Sequence, residues 1–146
     1  MNTETERLLL QELVRDARAS YRELAKKLGV STGTVIAKVR ELEEAGVIRG
    51  YSAVLDHEKL GYALAVVMEI TVSKGKLVEM EKHIAGRPEV LAVYDVTGQT
   101  DAVVLAKFKS RDELSKFTKS ILALPFVERT NTHFVLSIMK EDFRLT

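Results

Sequence analysis

The chain has 146 residues, 46% of them apolar and 29% charged, and a net charge of only +1; that is enough for one ordinary domain or two small ones with limited cores. The absence of cysteine excludes a disulfide framework, a thiolate nucleophile and a Cys-based zinc site, and three scattered histidines argue against a dedicated metal site. The longest apolar run, Tyr62–Met68, is strand-sized, and the opening MNTETERLLL is acidic where a secretory leader would be basic, so the expected location is the cytoplasm, with no membrane partner.

In chain order, residues 4–15 carry Leu8, Leu9 and Leu13 at helical spacing, and Thr3 with Glu6 has the spacing of a capping box. Ser20 and Glu23 repeat that spacing and open a second helix with Leu24, Ala25 and Leu28 inward. Gly29 ends it, since glycine takes the left-handed conformation at little cost. Ser31 caps a third helix on which Val35, Val39 and Leu42 form one buried stripe. Gly46 closes that helix, and Val47-Ile48 is expected to return as a short extended piece. A short helix, a tight turn and a second helix make a helix-turn-helix, a unit that lays a helix in the DNA major groove.

Residues 51–61 turn polar and mixed, and read as a hinge strand, Tyr51–Leu55, followed by a turn. Beyond them the spacing predicts a strand over Tyr62–Val72, a helix over Lys76–Ala85, and strands over Val90–Thr97 and Ala102–Lys109 joined by the turn Gly98-Gln99-Thr100-Asp101. Ser110 and Glu113 form a third capping-box pattern and open a helix bearing Leu114, Phe117 and Ile121. The last strand is expected over Val127–Lys140, with Phe134, Leu136 and Ile138 alternating. The order βαββαβ is the split, ferredoxin-like arrangement. The fold class is therefore α+β: a helix-turn-helix domain over 1–50, a hinge over 51–61 and a βαββαβ domain over 62–146. Helices cover one sheet face, and the other face calls for a partner chain.

The segments DARASYRELAKKLGVSTGTV, LEEAGVIRGYSAVLD, KLGY, the GxxD turn Gly98–Asp101 and RTNTHFVL stand in an order and spacing that resemble the Lrp/AsnC (feast–famine) family of transcription regulators, over nearly the whole chain. The resemblance implies sequence-specific binding of double-stranded DNA, no cofactor, homodimers that pair sheet to sheet and assemble toward octamers, and an amino-acid effector held at the C-terminal domain interface. Four positions depart from the family pattern. Lys38 stands where arginine is usual and Ala37 where a polar or basic residue is common; the turn reads GQTD rather than GDYD, and Phe126 replaces a common glycine.

On the third helix, steps of about 100° per residue turn Thr34, Ala37, Lys38 and Glu41 away from the core stripe. Ser31, Thr32 and Thr34 are candidates for phosphate or base contact near the helix N-terminus, and Lys38 for a phosphate or guanine edge. Tyr21 and Arg22 are placed to grip the DNA backbone, with Arg40 and Arg49 as flanking contacts. Before Gly50 there are nine Lys/Arg against eight Asp/Glu. So weak a charge excess requires several copies to bind together.

For the effector, the resemblance implies Gly98, Gln99, Thr100 and Asp101 of the turn together with Thr130 and Thr132. Asp101 would pair with an ammonium group, and backbone N–H groups near Gly98 with a carboxylate. A plain hairpin turn would need the same residue types, glycine for its positive φ and aspartate to bond the backbone. His57, His83 and His133 read as surface or hydrogen-bonded histidines, of which only His133 neighbours the threonines. No catalytic constellation stands out; the alternative is an enzyme resembling the siroheme decarboxylases of the same architecture, which would need clustered His and Arg.

Overall fold

A computed structural model describes residues 3–145. The chain divides into two compact units, one holding the described residues up to Val54 together with those from Lys140 on, the other Leu55–Met139. The C-terminal tail thus groups with the helical unit, where the spacing had placed it with the sheet.

The first unit contains α1 (Glu4–Arg15), α2 (Tyr21–Leu28) and α3 (Thr32–Glu44). Each begins at a side-chain cap. The Thr3, Ser20 and Ser31 hydroxyls accept the backbone N–H of Glu6, Glu23 and Thr34, which satisfies a donor that the helix itself leaves open. Only Ser20 completes the reciprocal box, its own N–H reaching the Glu23 carboxylate at 2.7 Å. Gly29 and Gly46 end α2 and α3 with φ of +68° and +69°. Leu9, Leu13, Leu24, Ala25, Val35, Val39 and Leu42 form one buried cluster, one stripe from each helix.

The second unit contains β1 (Leu64–Val72), α4 (Leu77–Ala85), β2 (Val90–Asp95), β3 (Ala102–Phe108), α5 (Arg111–Leu122) and β4 (Val127–Phe134). The strands form one antiparallel sheet in the order β2-β3-β1-β4. Val66, Met68, Ile70 and Val72 of β1 pack with Val104, Ala106 and Phe108 of β3 against Met80 and Ile84 of α4 and Leu114, Phe117 and Ile121 of α5. The alternate residues Val67, Glu69, Val103 and Leu105 are only partly covered, and Tyr94 is exposed. This is the sheet face that carries no helix.

Several expected boundaries shift for reasons of hydrogen bonding. Val47 and Ile48 form no strand, because both N–H groups turn back to the Leu42 carbonyl at 2.9 and 3.0 Å. The hinge strand over Tyr51–Leu55 is not formed, as no described strand lies alongside to complete a ladder. β1 starts at Leu64 because the Tyr62 N–H closes a turn on the His57 carbonyl. β2 stops at Asp95 because the Val96 N–H closes the next turn on Asp101. β4 ends at Phe134 rather than Lys140: Phe134 already pairs Val66, so the following residues overshoot the start of β1 after one last bond, Val135 N–H to Ala65. Leu136 is consequently 98% exposed.

Candidate nucleic-acid interface and ligand cleft

The outward side of α3 follows from its buried one. With Val35, Val39 and Leu42 inward, the helical step sets Gly33, Ala37, Arg40 and Glu44 opposite, Ile36 on one flank, and Thr34, Lys38 and Glu41 on the other. Thr32, Gly33, Thr34, Ile36, Ala37 and Arg40 are all exposed. The first turn carries no acidic residue, so its N–H groups and the positive end of the helix dipole meet no competing carboxylate there. The Thr34 hydroxyl lies 2.9 Å from that of Ser31, which itself serves as the cap.

The cations divide into committed and uncommitted ones. The Lys38 ammonium, only partly exposed, lies 2.7 Å from Glu41 and 3.1 Å from Glu6, so it ties α3 to α1. Those two carboxylates, Glu41 more than Glu6, hold its pKa above the ordinary lysine value. Arg40 pairs with Glu44 at 2.7 Å, but both side chains are well exposed, and such a pair exchanges readily for a phosphate. Arg22 and Arg49 have no carboxylate partner among the described residues. Tyr21 is 43% exposed at the start of α2, where the Ser20–Glu23 box fixes the backbone. The nearby Tyr51 hydroxyl donates to Glu43 at 3.0 Å; burial first, then Glu43, pushes its pKa up to about 12.

Ile36 was not singled out by the sequence reading, which followed hydroxyl and basic side chains. Its apolar nature argued for burial, yet its angular position, off the stripe, is the signal that places it outside.

In the second unit the turn after β2 is bonded to the end of β1. The Asp101 carboxylate accepts the Val72 N–H at 2.8 Å, the Asp101 N–H donates to the Ile70 carbonyl at 3.0 Å, and the Thr100 hydroxyl donates to the same carbonyl at 2.9 Å. Asp101 is therefore already used by the backbone. Beside it opens a cleft of about 570 Å³ lined by Gln99, Thr100, Thr130, Thr97, Glu69, Arg129 and Asn131. Of the six residues expected around an effector, Gln99, Thr100 and Thr130 line it, whereas Gly98 and Asp101 shape its turn. Thr132 lines a separate cleft with Leu114 and Thr118 of α5.

Glu69 and Asn131 were missed because only the strand register makes them neighbours: Glu69 of β1 faces Asn131 of β4. The Asn131 amide donates to Glu69 at 2.9 Å, and His133 Nε2 lies 3.3 Å from the same carboxylate. Asn131 first, then His133, hold the Glu69 carboxyl below its ordinary value of 4.5. The other histidines lie elsewhere. His57 Nδ1 accepts from Lys107 Nζ at 3.0 Å, and His83 is exposed on α4. No group of three or more His, Asp or Glu able to hold a metal ion occurs among the described residues, and no helix among them is long and apolar enough to cross a membrane.

Residues 2–49 match the family described as winged helix-turn-helix DNA-binding, and residues 65–145 the Lrp/AsnC ligand binding domain. An HTH-type transcriptional regulator of Pyrococcus furiosus is 48% identical over 140 residues, 96% of this chain and 95% of the relative. The regulator FL11 of Pyrococcus horikoshii is 35% identical over 97% of this chain and 94% of its own length. Among solved structures, a transcriptional regulator of Neisseria meningitidis in complex with L-Met superposes with a TM-score of 0.92 at 26% identity, covering 100% of this chain and 97% of that one. Escherichia coli AsnC gives 0.90 at 26% identity, with 97% of each chain covered. These relatives are regulators, so they lend no support to the decarboxylase alternative. The chain belongs to the Lrp/AsnC family of helix-turn-helix transcription regulators.

Proposed function

We propose that the protein binds double-stranded DNA with α3 in the major groove, and that an α-amino acid in the cleft beside the Gly98–Asp101 turn modulates that binding. The observation that carries the first part is the bare outward side of α3, bounded by a cap-free hydroxyl at Thr32 and by exposed cations. In this reading Ser31, Thr32 and Thr34 meet phosphate or base edges, Tyr21, Arg22, Arg40 and Arg49 hold the backbone, and Lys38 secures α1 to α3, reaching DNA only by releasing Glu41. The weak net charge is overcome by two copies acting on two half-sites, about 10 bp apart on one face of the duplex. The helix-free sheet face, with Val67, Val103, Leu105 and Tyr94, supports a homodimer, and higher assembly toward an octamer belongs to the same reading.

The effector reading rests on the cleft's mixed lining. A zwitterion needs one anionic and one cationic partner, and Glu69 and Arg129 supply them, with Gln99, Thr100 and Thr130 adding polar contacts. Glu69 takes the ammonium role, because Asp101 is committed to Val72. The Neisseria neighbour holds L-Met, which makes an amino acid of that class the first to try.

Selection of a duplex from a random pool, followed by fluorescence anisotropy at several salt concentrations, tests the DNA reading. Failure to enrich any sequence would count against it. A thermal-melt panel with the twenty amino acids tests the effector reading. A ligand at 100 times its dissociation constant stabilises the fold by about 2.7 kcal/mol, and the shift is expected to vanish in Glu69→Gln.

A further inference from the structure

The middle of α3 has an unusual surface for a helix that reads bases. Between Gly33 and Arg40, apart from Thr34 on the far flank, the exposed residues are Gly33, Ile36 and Ala37. None of their side chains donates or accepts a hydrogen bond. Of the polar neighbours, Thr34 lies one turn nearer the helix N-terminus than Lys38, with its hydroxyl 2.9 Å from that of Ser31, and Lys38 is held by Glu41 and Glu6. Ile36 nevertheless stands 47% exposed in a unit whose core holds its aliphatic residues almost completely buried. About half of this large apolar side chain is left in water.

The major groove offers one apolar mark among its donors and acceptors, the C5-methyl group of thymine. A helix face made of Gly, Ile and Ala has no means of distinguishing guanine from adenine by hydrogen bonding. It does allow close approach, since Gly33 and Ala37 project little or nothing, and it presents one methyl-rich side chain to a methyl-bearing base. Resting on the reading that α3 enters the major groove, we infer that Ile36, flanked by Ala37, is a specificity-determining residue that recognises thymine methyl groups in each half-site. Positions without a thymine under this turn then lack the one apolar contact this face can make, the C5-methyl group.

The test uses the full chain and a duplex enriched from a random pool. Each thymine of the half-sites is replaced in turn by deoxyuridine, which removes the methyl and leaves base pairing intact. Burial of one methyl corresponds to about a fourfold change in affinity. The wild type is expected to lose about that factor at one or two positions. Ile36→Ala is expected to bind the thymine duplex more weakly and to be indifferent to uracil at those same positions. Because Ile36 lies outside the core cluster, the variant should still fold, with at most a small drop in Tm, and Ile36→Val should retain most of the thymine preference. If the wild type binds every uracil duplex as tightly as the thymine one, the inference fails while the DNA reading stands. If Ile36→Ala keeps the full uracil penalty, some other residue reads the methyl and the assignment to Ile36 fails. If no duplex is enriched, the reading beneath the inference fails, and the inference with it.

Discussion

Removing the Asp101 side chain tests whether that carboxylate serves the fold before it serves any ligand. In Asp101→Ala the N–H of Val72, a residue 8% exposed at the end of β1, loses its acceptor. A hydrogen bond to a charged acceptor contributes about 1.5–3 kcal/mol, and an orphaned buried donor costs a similar amount, so a loss of about 2 kcal/mol is expected. The sheet unit spans Leu55–Met139, and an unfolding entropy of about 2.1 cal/mol/K per residue turns that loss into roughly 10 °C in Tm. Asp101→Asn keeps an oxygen able to accept the same N–H and should lose less than about 1 kcal/mol. Calorimetry of the full chain measures both. An Ala variant that melts with the wild type would refute the assignment and return Asp101 to the list of residues free for an ammonium group.

Phe117→Ala should be more damaging, about 3–5 kcal/mol by denaturant titration, because the ring is 1% exposed and packs at 5.2 Å against Phe108 with Arg87 over its face. Gly29→Ala should cost about 1 kcal/mol for conformational reasons alone, since a Cβ there meets nothing within 4 Å while φ is +68°; Gly29→Asn should cost less. Lowering the pH should weaken the fold. Glu12, Glu23 and Glu69 have carboxyls held below their ordinary value by Lys27, Ser20 and Asn131 respectively, so their contribution is complete above about pH 4.5 and fades as pH falls through the lowered values. Thermal melts from pH 6 downward check this, and a Tm that rises on acidification would contradict it. Arg22→Ala should weaken binding to all duplexes alike and reduce the slope of log affinity against log salt by about 1.

The helices and the βαββαβ succession of elements were legible because their signals are local. Ser20, Gly29 and Ser31 mark helix ends by capping chemistry that needs no tertiary context, and the stripe Val35, Val39, Leu42 names the buried side of α3 from spacing alone. Strand ends were not legible in the same way. Whether β4 runs to Phe134 or Lys140 depends on where β1 begins, and that is set by a turn bond between Tyr62 and His57. The candidate sites show the same division. The capping hydroxyl of Ser31 and the exposed Arg22 follow from position on a helix. Of the two partners of Lys38, Glu41 is three residues on and legible from spacing, whereas Glu6 lies far away in the chain and comes near only when α1 packs on α3. Glu69 and Asn131 meet only through register, which periodicity does not specify. Ile36 was overlooked because residue type was weighed above angular position.

Ala37→Glu puts the central claim at risk most directly. Ala37 lies on the outward side of α3, exposed and opposite the buried stripe, so a glutamate there should leave the melting temperature unchanged while placing a negative charge against the major groove. Anisotropy with the selected duplex should then show specific binding lost, with Tm as in the wild type. A variant that folds and binds that duplex with wild-type affinity would mean that α3 does not enter the groove.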